Sequence, residues 1–171
     1  MEKAFLRASE DVDWLCRNVG PRCTIVGAVS ILKRHGAYSE KMFEIIESAM
    51  HFREKPNTFE WLRFGMSYIG PFSGLDRGIE KAATTVGLKV KATTRFRFLP
   101  KDFLDSISRG NPILLNCFRA PSGDWSHSVI AVGTNEDGTK LLTIDPNDGI
   151  ERWLLSLNAI CTATFVEPQK R

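Results

Sequence analysis

The hydrophobic period of this chain changes once, and that change limits the folds open to it. Up to Gly87 the apolar residues recur at helical spacing; beyond it they alternate or cluster as strands do. Residues 23–35 have Gly20-Pro21 ahead and Gly36 behind, the punctuation of a helix. Val26, Val29 and Leu32 do not form a narrow stripe, because the segment is apolar on most sides. Such a helix is expected to be central and buried. Residues 40–54 carry Met42, Ile45, Ile46, Ala49 and Met50 on one face, which predicts a second helix. A third is expected from Asn57-Thr58, with Glu60 placed for a capping box and Trp61, Phe64 and Tyr68 at core spacing. A fourth covers residues 74–86 and stops at Gly87.

After that point, residues 88–94 alternate apolar and polar, as a half-buried strand does. Residues 100–109 read as a short helix closed by Gly110. Residues 113–118, 128–133, 141–144 and 159–166 read as strands by their β-branched content and by turns such as Asn135-Glu136-Asp137-Gly138. Helices first and strands afterwards predict one α+β domain over residues 1–171, with helices packed on an antiparallel sheet.

Several function classes fall away. The chain has 171 residues, enough to bury a core without disulfides or a structural metal. Lys plus Arg is 23 and Asp plus Glu is 20, so the net charge is only +3. The basic residues are scattered, and nucleic acid is not an expected partner. The alternating Lys89, Lys91, Arg95 and Arg97 suit a solvated strand face. No apolar run is long enough to span a membrane. Met1 to Arg7 lacks the apolar core of a signal peptide, so a reduced, cytoplasmic protein is expected, exportable only by a signal-independent route. The four cysteines, Cys16, Cys23, Cys117 and Cys161, form no CxxC pair, which argues against a zinc knuckle or a thioredoxin motif.

One cysteine stands where chemistry is available. Nucleophilic catalysis by cysteine needs a thiolate, a base to make it, and a group that orients the base. Cys23 opens the buried helix, where backbone N–H groups and the helix dipole favour a thiolate and can receive an oxyanion. Among the three histidines, His35 and His51 lie in helical stretches near Lys and Arg and read as solvated. His127 opens an apolar strand after the turn-forming Pro121-Ser122-Gly123-Asp124. Eighteen residues on, the next strand ends in Ile144-Asp145-Pro146. If these strands form a hairpin through residues 135–138, Asp145 lies beside His127 and can fix its tautomer. Cys16, Cys117 and Cys161 read as structural, and Trp125 as a wall of the cleft or a cover for the sheet edge. A metal site built from His127, Asp145 and a cysteine lacks ligand spacing, and no cofactor is expected.

This ordered set resembles the papain-like cysteine peptidases, and within them the double-glycine leader peptidases of bacteriocin export and their stand-alone relatives. Three stretches carry the resemblance: Arg22-Cys23 through His35-Gly36, Gly110-Asn111-Pro112-Ile113-Leu114-Leu115, and His127 through Gly133 with Asp145-Pro146-Asn147-Asp148-Gly149. It spans residues 16–155, and it rests on order and spacing because no single motif is specific. The resemblance implies a papain-like fold and a cysteine hydrolase, with a peptide or protein as substrate. Amidase, transglutaminase-like and acyl-transfer chemistry use the same machinery. Cys23 would be the nucleophile, His127 the general base and Asp145 its orienter. The family's oxyanion hole takes a Gln six residues before the cysteine; here that position holds Arg17, with Asn18 beside it. Either would have to supply the donor. A second departure is Thr24, where relatives often carry Gly. A small unattached unit of this type would suit a delivered bacterial effector or toxin domain. The alternative reading is a silent papain-like domain that binds a peptide or protein in the old cleft.

Overall fold

The computed structural model describes residues 6–7, 12–18, 22–50 and 72–169. In chain order the elements are β1 (Leu6–Arg7), α1 (Cys23–Arg34), α2 (Lys41–Ala49), α3 (Phe72–Thr84), β2 (Val90–Arg95), α4 (Pro100–Ser108), β3 (Ile113–Arg119), β4 (Trp125–Thr134), β5 (Leu141–Ile144), β6 (Glu151–Leu154) and β7 (Ile160–Pro168). The helix expected from residue 57, and His51, lie outside the described residues. The second helix ends at Ala49, with Met50 already extended.

The strands form one antiparallel sheet in the order β2-β7-β3-β4-β5-β6, and β1 pairs with β4 off this path. Helices α1 to α3 cover one face. Ile25, Val29 and Leu32 of α1 pack there against Leu114, Ile130, Val132 and Ile144. Helix α4 covers the other face, where Phe103 and Ile107 meet Ile113, Leu115, Val129 and Phe165. Strand alternation produces both cores, since Leu114 and Leu115 face opposite ways. Each buried aliphatic or aromatic side chain of this kind stabilises the fold by roughly 1.5–3 kcal/mol.

Helix α1 is the centre of the molecule. All residues from Ile25 to Leu32 are buried, as a helix apolar on most sides must be. Lys33 and Arg34 close its last turn, where cations suit the helix dipole. Gly27 lets the helix lie directly on β3: a methyl group there would stand 2.6 Å from Leu114 Cδ1. The segment before α1 is tied to it, because the Cys16 N–H donates to Ser30 Oγ at 2.9 Å and Lys33 Nζ donates to the Asp13 carbonyl at 3.0 Å. This packing fixes the N-terminus of α1 over the middle strands.

Two strands differ from expectation. Strand β4 begins at Trp125, three residues early, because the 120–124 turn is tight: the Ala120 N–H donates to the Asp124 carbonyl at 2.8 Å. Strand β6 carries no alternation, and Leu154 alone of its four residues is buried. Its position comes from pairing with β5, a long-range fact that its composition does not encode.

Candidate active site

Three elements meet at the start of α1. Cys23 is its first residue, so the unpaired N–H groups of the first turn surround it. His127 lies on β4, and Asp145 follows β5. The β4–β5 ladder pairs Ile130 with Ile144. Continuing that register sets Asp145 opposite Val129, two residues from His127 and on the same face. The hairpin closes through the turn expected from residues 135–138, where the Gly138 N–H donates to the Asn135 carbonyl at 3.1 Å.

His127 Nε2 and Asp145 Oδ1 are 2.8 Å apart, with the side chains only 6% and 4% exposed. Asp145 Oδ1 also accepts the Asn147 N–H at 2.8 Å. The turn itself is locked, since the Gly149 N–H donates to the Asp145 carbonyl at 2.7 Å and Gly149 takes φ of 74°. Burial pushes the Asp145 carboxyl up, but the His127 ring and the Asn147 N–H outweigh it and hold the pKa below the ordinary 3.8. An ionised Asp145 accepts a hydrogen bond from Nε2–H, so a neutral ring presents Nδ1 as its basic nitrogen.

Hydrogen bonding from the His127 side chain and from the Ser128 N–H and hydroxyl favours the Cys23 thiolate. Burial pushes this thiol up from the ordinary 9.0, yet these bonds and the charge of His127 bring the net pKa down. The reciprocal holds for the ring. Burial pulls His127 down, while its bonds to Asp145 and Cys23 and their charges raise it from 6.5 to about 10. Each partner favours the charged form of the other, as a thiolate–imidazolium pair requires.

The candidates for the oxyanion donor diverge. Arg17 is exposed, and its Nη2 lies 4.0 Å from where a Gly149 Cβ would stand. Asn18 lies on the triad side. Its N–H donates to the Pro146 carbonyl at 2.9 Å and its Nδ2 to Asn147 Oδ1 at 2.7 Å. Asn147 Nδ2 stands 3.4 Å from His127 Nε2, so Asn147 lies between Asn18 and the imidazole. The sequence contains Asn147 inside the Asp-Pro-Asn-Asp-Gly motif, but only the turn geometry shows what it touches.

The other cysteines carry raised thiols. Burial dominates at Cys16 and Cys161, and burial with the nearby Cys161 sets Cys117 at about 12. His35 departs from the solvated reading: it is half-buried at the end of α1, and burial followed by the Arg34 charge lowers its pKa. In the sequence Asp124 reads only as a turn residue. Its carboxylate, the Asp145 carboxylate and a His127 ring nitrogen lie within 4.8 Å of one another. A cation bound to Nε2 in that set would have to displace the ring proton that His127 donates to Asp145. Among the described residues, no helix is long and apolar enough to cross a membrane.

No family model matches the chain, and no curated protein matches it by sequence. Among solved structures it is similar to the peptidase domain of Streptococcus ComA, a bifunctional ABC transporter involved in a quorum-sensing pathway. The two are 15% identical and superpose with a TM-score of 0.53 over 91% of this chain and 98% of that domain. The chain has the α+β fold that its helix-to-strand order implies, in the papain-like form that the family resemblance implies, as that peptidase domain does.

Proposed function

We propose that this protein is a papain-like cysteine hydrolase that cleaves peptide bonds with a Cys23–His127–Asp145 triad. The observation that carries this reading is the His127 imidazole, held 2.8 Å from the buried Asp145 carboxylate and close enough to the Cys23 thiol for each to shift the other's pKa. His127 Nδ1 holds the thiol proton, and the Cys23 sulfur attacks the substrate carbonyl carbon. The oxyanion lies against the Cys23 N–H, with the Asn18 amide as the second donor. His127 then protonates the leaving amine, and a thioester on Cys23 remains. Water, deprotonated by His127, attacks the thioester, releases the acid product and restores the thiolate. Similarity to a peptidase domain supports a peptide or protein as the substrate.

A second reading has one observation in its favour. Arg17 stands exposed at the family's Gln position, and the Asn18 amide already donates to Asn147. Losing an oxyanion donor typically costs about a hundredfold or more in turnover. On that reading the domain binds a peptide without cutting it.

The test is the pH dependence of Cys23 alkylation by iodoacetamide, in the wild type and in His127→Ala, with the other three cysteines changed to Ala. The triad reading expects fast alkylation well below the ordinary thiol pKa of 9.0, slowed by His127→Ala. Slow alkylation at ordinary thiol pH, indifferent to His127, would contradict it.

A further inference from the structure

The two ends of the contact between α1 and the sheet differ in kind. One turn into the helix the contact is apolar, with Gly27 lying over Leu114 and Ile130. At the first turn it is polar. Thr24, the second residue of α1, stands beside Ser128 of β4 and Asn116 of β3. The ladders place Asn116 opposite Ser128 on one side and opposite Thr162 of β7 on the other. Ser128 and Thr162 are 2% and 0% exposed. Polar groups this deep in an apolar layer are costly unless each is bonded, so the way they are bonded calls for a use.

The bonds run in one direction. Asn116 Nδ2 donates to Thr162 Oγ1 at 2.8 Å, which turns Asn116 Oδ1 toward α1 as an acceptor. Ser128 Oγ donates to that oxygen at 2.5 Å. Thr24 Oγ1 lies 2.6 Å from Ser128 Oγ, and because Ser128 has given its one proton to Asn116, the proton between the two hydroxyls comes from Thr24. Thr24 Oγ1 is also 3.1 Å from Asn116 Oδ1, which closes a triangle. The apolar contact under Gly27 resists separation but has no preferred direction along the strand. Hydrogen bonds weaken steeply when distance or angle changes. The triangle therefore sets where the first turn of α1 lies along β4.

Two corners of the triangle are the chain neighbours of the reacting pair, since Thr24 follows Cys23 and Ser128 follows His127. We propose that the Thr24–Ser128–Asn116 triangle is a positioning clamp that fixes the backbone of Cys23 against the backbone of His127, so that thiol and imidazole meet in register. This rests on the triad reading of the site. Thr24 acts through the peptide bond it shares with Cys23, and Asn116 acts through the two hydroxyls it holds. The clamp also gives Thr24 a role at the position where the resembled family often has Gly, which has no side chain with which to make it. A misplacement of about 1 Å in a reacting pair can cost about a hundredfold in rate, so a smaller drift of the helix end is expected to cost several-fold. The substitutions below leave the charged groups around Cys23 in place. These are His127 on β4 with Asp145 and Asp124 behind it, and Arg22, which is ion-paired with Glu47 of α2.

The experiment is a double-mutant cycle on the full chain, read by the rate of iodoacetamide labelling of Cys23 near neutral pH and resolved from the other cysteines by peptide mass spectrometry. Thr24→Val keeps the shape of the side chain and removes its hydroxyl. It is expected to slow labelling about fivefold, and Thr24→Ser, which restores the hydroxyl, to label as the wild type does. Asn116→Leu is expected to slow labelling about threefold. In the His127→Ala background there is no imidazole to align, so Thr24→Val is expected to change labelling there by less than about 1.5-fold. A merely structural Thr24 would act alike in both backgrounds. Unchanged labelling in Thr24→Val, equal slowing with and without His127, or slowing by Thr24→Ser as large as by Thr24→Val would each overturn the proposal. The Thr24 variants decide the matter if Asn116→Leu does not fold. The same series separates the two levels: labelling that ignores His127 removes the triad reading, whereas labelling that depends on His127 but ignores Thr24 removes only the clamp.

Discussion

Cys117 lies on β3 in the middle of the sheet, 2% exposed, and burial with the neighbouring Cys161 pushes its thiol up to about 12. Cys23 is less deeply set, at the mouth between α1 and β4, and burial pushes its thiol in the same direction. Its net pKa nevertheless falls, because His127 and Ser128 aim donors at the sulfur. The two regions share one chain and one residue type. What separates them is the set of partners that topology delivers. Burial alone makes a cysteine inert, and burial combined with directed donors makes it reactive.

The largest expected effect comes from removing the donor that distinguishes the two sites. His127→Ala is expected to slow Cys23 alkylation about a hundredfold near neutral pH, and to cut peptide hydrolysis about a thousandfold or more. Cys117 labelling should not change. Asp145 acts at one remove. Asp145→Asn keeps a hydrogen-bond acceptor but loses the charge, and is expected to slow hydrolysis about tenfold. Asp145→Ala is expected to cost more, because it strands a buried Nε2–H. Steady-state rates of the two variants, measured with any peptide the wild type cleaves, check the order.

Stability against pH gives a smaller but specific signature. The folded His127 ring, raised from 6.5, alone would stabilise the fold fully below 6.5 and lose that contribution as pH rises through about 10. The folded Cys23, lowered from 9.0, alone would contribute fully above 9.0 and lose it as pH falls through its lowered value. Just below 9.0 the pair carries one proton both folded and unfolded, so its joint contribution is level there. Above 9.0 the unfolded pair gives up that proton while the folded ring keeps it, and stability falls. Asp145 adds to the acid side, its contribution being full above 3.8 and lost as pH falls through its lowered value. Urea midpoints across this range should show the plateau in the wild type, and His127→Ala should lose its alkaline edge. The smallest effect is at the inert site. Cys117→Ala is expected to cost about 1 kcal/mol of stability and to leave the Cys23 alkylation profile unchanged.

Much of the comparison is legible in the sequence. The shift from helical to strand periodicity near Gly87 predicts the architecture, because both periods are local properties. Cys23 at a helix start, His127 at a strand start and Asp145 after the next strand depend only on a hairpin whose turn residues, Asn135 to Gly138, announce it. The rest depended on which strands lie side by side. Strand β6 has one buried residue and no alternation, so only its pairing with β5 makes it a strand. His35 is half-buried because the chain packs over it, which its basic neighbours conceal. The Thr24–Asn116–Ser128 triangle draws on three separate segments. Its trace in the sequence is slight: one Asn within the apolar run Ile113-Leu114-Leu115-Asn116-Cys117. A polar residue in a strand buried on both faces is the signal that would have flagged it.

The most direct test is to label all four cysteines of the unaltered protein with iodoacetamide in a single sample across pH, reading each site by peptide mass spectrometry. Cys23 should label with a midpoint well below the ordinary 9.0, while Cys16, Cys117 and Cys161 follow only at higher pH. A Cys23 midpoint that coincides with that of half-buried Cys16 would contradict the claim that directed donors, rather than position alone, set this thiol apart.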